Sequence, residues 1–314
     1  MRPLRSSLPG GLYEICTRAT GNHLLLRPST EVNGIILGVI GRAQTMYAID
    51  LHAFVFLSSH YHLLLSAPNA QVLSDFLQFV NGNIARKLNV INDRDGSFWE
   101  RRFRAIPVAK DRATQRWRLR YILAHGTKEA LVGRVEDWPG ASSLPFLRDG
   151  VPIRGVWQSR TELYYARRRK GYQAQPGDFE TEYALRLTVL PSWRNRPLNE
   201  WRRLVRDVIA ELNEEAAARI ASGARALGVD VVLALDPMTR VQSRRGRAPS
   251  VLALERSVAR QMRRALRASE ALWRDAARAA MAMLAGAAEA VAPLPAMYWR
   301  ALRVESAPWT LQAA

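Results

Sequence analysis

The chain has one cysteine, Cys16, in 314 residues. This excludes an intrachain disulfide and any zinc site built from several cysteines, and it suits a reducing compartment. Acidic residues are scarce beside basic ones, 28 against 46, so the formal net charge is +18 and the pI about 11.0. Long apolar runs are also missing. The start, Met1-Arg2-Pro3-Leu4-Arg5, lacks the apolar core of a signal peptide. The Ala-rich stretch 276–292 carries Arg278 and Glu289, and is too short and small-residued for a membrane span. The expected location is cytoplasmic, at the nucleoid.

The excess charge is mostly arginine, which suits bidentate phosphate contacts and implies a polyanionic partner. Nucleic acid is the first candidate, and an anionic membrane surface the second. A charged soluble protein with arginine in place of lysine is the bland alternative.

Periodicity gives an order of elements. Residues 11–18 alternate like a strand. A helix opens with Ser29 as N-cap and apolar positions at Val32, Ile35, Ile36, Val39 and Ile40. Residues 46–57 read as one or two strands, and His60 to Ser66 continues the sheet after a Ser58-Ser59 turn. Asn69 to Asn89 is an amphipathic helix, Arg104 to Lys110 a strand, and Asp111 to His125 a helix with Gly126 as its C-cap. This alternation predicts a small α+β antiparallel sheet domain with helices on one face. Composition becomes irregular over 127–155, which puts a domain boundary there: 1–155, then 156–314. The second part reads as basic and mainly helical, with Tyr164-Tyr165-Ala166-Arg167-Arg168-Arg169-Lys170, a helix from Leu198 to Leu227, a basic linker over 237–249 and a helix from Pro249 to Ala288.

Histidine is rare, at five, and two sit together in His60-Tyr61-His62. On a strand, residues two apart project from the same side, so both rings can reach one metal ion. Tyr121 and His125 are four apart on the next predicted helix and share a face, with Trp117 on the same stripe. If that helix packs beside the histidine strand, His125 completes a three-ligand site and Tyr121 holds its hydroxyl beside a metal-bound phosphate. A tyrosine attack on phosphorus then gives a covalent phosphotyrosine and frees a hydroxyl on the other strand end.

Four stretches in order resemble the single-tyrosine HUH transposases, the insertion-sequence and REP-associated tyrosine transposase superfamily. They are His52-Ala53-Phe54-Val55-Phe56-Leu57-Ser58-Ser59-His60-Tyr61-His62, Gly96-Ser97-Phe98-Trp99-Glu100-Arg101-Arg102-Phe103-Arg104, Arg120-Tyr121-Ile122-Leu123-Ala124-His125, and Asp137-Trp138-Pro139 with Ser142-Ser143. The resemblance covers residues 9–147. It implies a ferredoxin-like fold, a divalent metal (Mg²⁺ or Mn²⁺), and cleavage and joining of single-stranded or hairpin DNA. It makes His60 and His62 metal ligands and Tyr121 the nucleophile, and puts His125 at the third-ligand position. Two features depart from the family pattern. Ser58-Ser59 stands where Pro-Asn is usual, and His125 stands where Asn or Gln is common. A third imidazole shifts metal preference toward Mn²⁺ or Zn²⁺.

Basic elements surround these residues. Arg112, Arg116 and Arg120 form an i, i+4, i+8 stripe, and Arg101, Arg102 and Arg104 surround Phe103. Both sets are candidate DNA contacts. Residues 240–278 hold eleven arginines and three acidic residues, with Arg256, Arg260, Arg263 and Arg267 on one helix face and Val258, Met262, Leu266 and Trp273 on another. That amphipathic basic helix could grip DNA, dock on the catalytic domain with a wet basic side, or lie on a membrane surface. The leading expectation is a metal-dependent DNA transposase or strand transferase. The alternative is a domesticated, catalytically weak DNA-hairpin-binding protein on the same fold. A replication-initiator or relaxase type of nickase is a third reading. Monomer and homodimer stay open.

Overall fold

The structure is a computed structural model, and it describes residues 10–169, 171–173, 175, 177–242 and 248–288. The N-terminal Met1-Arg2-Pro3-Leu4-Arg5, Lys170, part of the basic linker and the end of the Ala-rich stretch lie outside the described residues, as does the side chain of Trp273.

The first half follows the expected alternation: β1 (Leu12–Arg18), α1 (Thr30–Met46), β2 (Asp50–Phe56), β3 (His60–Ser66), α2 (Ala70–Ile91) and β4 (Arg104–Val108). The four strands form one antiparallel sheet in the order β2-β3-β1-β4. This is the ferredoxin-like arrangement, two strand-helix-strand crossovers laid into one sheet. Side-chain caps set the helix starts. Ser29 Oγ accepts the Val32 N–H at 3.0 Å, and Asn69 Oδ1 accepts the Val72 N–H at 2.9 Å.

Helices cover both faces of the sheet, where the sequence suggests one. On one face Tyr61, Leu63 and Leu65 of β3 pack with α1 and α2. On the other, Leu64, Val55 and Ile106 pack with α3 (Arg112–Leu123), α4 (His125–Lys128) and residues from the second half of the chain. Two-sided cover explains why β2 and β3 are buried almost end to end. Gly126 is no C-cap. It lies inside α4, where a Cβ would stand 3.0 Å from the Val132 side chain, so the glycine permits close packing.

The second half contains α5 (Leu144–Asp149), β5 (Arg154–Gln158), α6 (Arg160–Arg167), β6 (Glu180–Ala184), α7 (Leu198–Ala221), α8 (Val229–Ala234) and α9 (Arg256–Ala288). A break at residue 155 does not divide the packing, and one compact unit runs to Leu266. Trp193, Trp201, Val205, Val208 and Leu212 join the core on the α3 face of the sheet. Leu252 donates its N–H to Pro107 O and accepts from the Ala109 N–H, both at 2.8 Å, so this segment protects the β4 edge. Helix α9 starts in that unit, with Ala259 and Leu266 packed against Val251, while Arg256, Arg260, Arg263 and Arg267 are exposed. The described residues from 267 to 288 belong to a second unit. Among the described residues, no helix is long and apolar enough to cross a membrane.

The β5–β6 hairpin lies on α1 through a contact that requires glycine on both sides. A Cβ on Gly38 would stand 2.0 Å from Val156 O, and one on Gly155 would stand 2.2 Å from Gly38 N. Gly34, one turn earlier on α1, is open: a Cβ there would meet nothing within 4 Å. Gly38→Ala is therefore expected to destabilise the fold by about 1–3 kcal/mol through overpacking. Gly34→Ala should be neutral or stabilise by up to about 1 kcal/mol. Urea midpoints of the two variants check this, and equal midpoints would contradict the contact.

Candidate active site

Sheet register assembles the site's floor. In the β1–β3 ladder Arg18 opposes His60, Cys16 opposes His62 and Glu14 opposes Leu64. These residues share the face covered by α3, because a period of two puts every second side chain there. A one-residue slip would send both histidines into the opposite core. On the other side of β1, Arg104 opposes Cys16.

Helices α3 and α4 supply the other wall. Tyr121 is half-buried and His125 buried. One ring nitrogen from each of His60, His62 and His125 lies within 4.8 Å of the others. The His62 and His125 ring centroids are 4.2 Å apart, and the Tyr121 ring centroid is 4.5 Å from His125 and 5.6 Å from His62. The structure thus brings together the two strand histidines, the helix histidine and the tyrosine that the sequence singles out.

The partners of these rings decide which nitrogen is available. His62 Nδ1 is 3.0 Å from Glu14 Oε1, and His125 Nδ1 is 2.8 Å from Tyr121 O. Both partners can only accept, so in a neutral ring each Nδ1 carries the proton and Nε2 keeps its lone pair. His60 Nδ1 is 3.1 Å from Ser59 Oγ, a hydroxyl able to accept the same kind of bond. Burial holds all three imidazoles neutral: it pushes His62 down to about 3 and holds His60 and His125 well below the ordinary value. Three neutral rings, each with Nδ1 engaged and Nε2 left to coordinate, and with one ring nitrogen from each within 4.8 Å of the others, form a donor set suited to one divalent ion.

Three residues that the sequence does not single out complete the surroundings. Glu14 is buried on β1, and its Oε2 accepts from Arg118 Nε at 2.6 Å and also pairs with Arg118 Nη2. Burial raises the Glu14 pKa, and the Arg118 guanidinium opposes that rise. Arg118 Cζ lies 3.9 Å from the Tyr121 ring centroid, and Lys128 Nζ lies 4.5 Å from it. The Cys16 Sγ is 3.9 Å from His62 Nε2, and burial pushes this thiol up to about 11, so it stays protonated at neutral pH.

The candidate DNA-contacting arginines divide into two groups. Arg116 pairs with Glu211 on α7, Arg120 pairs with Glu215 and lies 3.7 Å from Glu211, and Arg112 Cζ is 5.4 Å from the Trp193 ring centroid. This stripe joins α3 to the second half of the chain and is not an open row of cations. Arg101, Arg102 and Arg104 are exposed, and Arg104 stands on the same sheet face as the histidines. His52 is buried and bonded on both nitrogens, to Ser66 Oγ at 2.8 Å and to Thr188 O at 3.2 Å, which makes it a structural residue.

Residues 27–124 match the family described as "Transposase IS200 like". The matched span contains His60, His62 and Tyr121 and stops one residue before His125. Two solved structures are similar to the chain. One is a REP-associated tyrosine transposase bound to a REP hairpin, at 19% identity over 46% of this chain and 82% of that one, with a TM-score of 0.39. The other, from Deinococcus radiodurans R1, is assigned as a transposase, at 20% identity over 38% and 94%, with a TM-score of 0.28. No curated protein matches.

Glu14 fixes the tautomer of His62, so its replacement should register in metal affinity. Glu14→Gln is expected to weaken Mn²⁺ binding by about 10–100-fold, the usual effect of losing a ligand's outer partner. Calorimetric titration of wild type and variant checks this. Equal affinities would show that the carboxylate only pairs with Arg118.

Proposed function

We propose that this chain, whose residues 27–124 match the family described as "Transposase IS200 like", cleaves and rejoins single-stranded or hairpin DNA through a covalent 5′-phosphotyrosine at Tyr121. The observation that carries this reading is the placement of the Tyr121 ring against three converging imidazoles, all supplied by one chain.

His60, His62 and His125 would hold the divalent ion, Mn²⁺ or Mg²⁺. When bound, it supplies charge that polarises the phosphoryl oxygens. The remaining work falls to the chain's own groups. Tyr121 oxygen attacks phosphorus, a new P–O(tyrosine) bond forms, and the bond to the 3′-oxygen breaks to leave a 3′-hydroxyl. The covalent bond conserves the phosphodiester energy, so a later 3′-hydroxyl can reverse the step and join a new strand. Glu14 keeps the His62 proton on Nδ1. Lys128 sets a positive charge against the Tyr121 ring, where the scissile phosphate must approach. Arg104 and Arg18 extend that positive charge along the sheet end that carries the histidines. The exposed arginines of α9 add a second basic surface for DNA outside the cleavage site.

The test uses labelled oligonucleotides, including hairpins from the DNA that flanks the gene. Wild type with Mn²⁺ is expected to form a covalent protein–DNA adduct that EDTA prevents. Tyr121→Phe should lose the adduct and keep DNA binding. Hairpin binding without an adduct under any metal would overturn the enzymatic reading and leave a DNA-binding protein on a transposase fold.

A further inference from the structure

The active site accounts for one face of the sheet. On the other face, beyond α1, the β5–β6 hairpin and α6 form a surface that the proposed reaction does not use. Helix α6 buries only Ala166. Its aromatic residues face water, with Tyr164 54% and Tyr165 62% exposed, and the two rings have centroids 5.5 Å apart at an interplanar angle of 72°. Tyrosines left this exposed are unusual for a helix that docks on a core, since each ring carries a large area that folding would otherwise bury.

Cations surround the pair. Arg168 lies over the Tyr164 ring at 5.5 Å, and its Nη1 donates to the Tyr164 hydroxyl at 2.6 Å. Arg160, Arg167 and Arg169 are exposed and have no ion-pair partner among the described residues. The row continues onto α2, where Lys87 Nζ lies 5.0 Å from the Trp157 ring centroid. Burial and then the charge of Arg160 lower the Lys87 pKa, so the cations here crowd one another. The carboxylates in the neighbourhood are Glu162 on α6, Glu180 and Glu182 on β6, and Asp178; Glu182 pairs with Arg154, Asp178 accepts from the Tyr172 hydroxyl, and Glu180 only partly offsets the Lys87 shift. Crowded cations interleaved with exposed rings suit a partner that offers phosphates at regular intervals and flat apolar faces between them. A single nucleic-acid strand has both, whereas a duplex hides its base faces in the stack.

We propose that Tyr164, Tyr165 and the arginines of α6 form a docking surface for single-stranded nucleic acid, separate from the Tyr121 site, with bases stacked on the two rings. The polyanionic partner is the one the proposed function requires, but this surface holds a part of the strand that is not being cut.

The experiment measures fluorescence anisotropy of a labelled oligo-dT with the full chain across a range of salt concentrations. Tyr164→Ala with Tyr165→Ala should weaken binding by about tenfold, and the corresponding Tyr→Phe pair should restore it to within about twofold, because stacking needs the ring and not the hydroxyl. Arg167→Ser with Arg169→Ser should weaken binding and flatten its salt dependence. Both tyrosines are exposed, so the alanine pair should unfold at the wild-type urea midpoint. The titration is run in EDTA, and with Mn²⁺ the alanine pair should still form the Tyr121 adduct on a short cleavable oligonucleotide, which separates failure of this surface from failure of the active-site reading. Wild-type affinity in the alanine pair would overturn the proposal. So would a tyrosine-dependent gain in binding to anionic phosphatidylglycerol vesicles with none to oligo-dT.

Discussion

The buried carboxylate of Glu14 joins the two halves of the active site. One oxygen accepts from His62 on β3, and the other accepts from Arg118 on α3. Arg118 in turn lies against the Tyr121 ring. The proposed metal ligand on β3 and the proposed nucleophile on α3 are thus set relative to each other through one side chain of β1. The arrangement is costly to break, because removing either partner leaves a charge buried and unpaired. It is also directional: the carboxylate can only accept, so it keeps the His62 proton on Nδ1 and leaves the lone pair on Nε2.

The sheet makes that contact geometrically possible. Antiparallel pairing of β1 with β3 puts Glu14 diagonal to His62, within reach across the ladder. Helix α3 then closes over a face that would otherwise be wet, and it is held there from outside. Its outer side pairs with Glu211 and Glu215 of α7, and the surrounding core is completed by Trp193 and Trp201. The second half of the chain is therefore part of what fixes Tyr121 in place. It is not an appendage to a finished sheet domain.

Some of this is legible in the sequence because it is local. The spacing of His60 and His62 fixes their common face, the spacing of Tyr121 and His125 fixes theirs, and Ser29 and Asn69 mark helix starts that the structure keeps. Other parts depend on long-range contacts that no window shows. Leu12-Tyr13-Glu14-Ile15-Cys16 reads as an ordinary half-wet strand, so Glu14 looks like a solvated carboxylate until α3 covers it. In the arginine-rich helix the periodic stripe of Arg112, Arg116 and Arg120 stands out, yet the buried and chemically placed residue is Arg118, which breaks that spacing. Gly126 resembles a helix stop because a glycine after a helix usually is one, whereas its role is set by Val132. The boundary near residue 155 follows composition, and composition does not record that β5 lies on Gly38 of α1.

The proposed function rests on His60, His62 and His125 acting as one metal centre beside Tyr121. The most direct measurement is a titration of the metal-free chain with Mn²⁺, followed by electron paramagnetic resonance. One ion is expected to bind per chain, lost in His60→Ala, His62→Ala and His125→Ala and kept in Tyr121→Phe. Absence of stoichiometric binding, or binding that survives all three histidine substitutions, would contradict it.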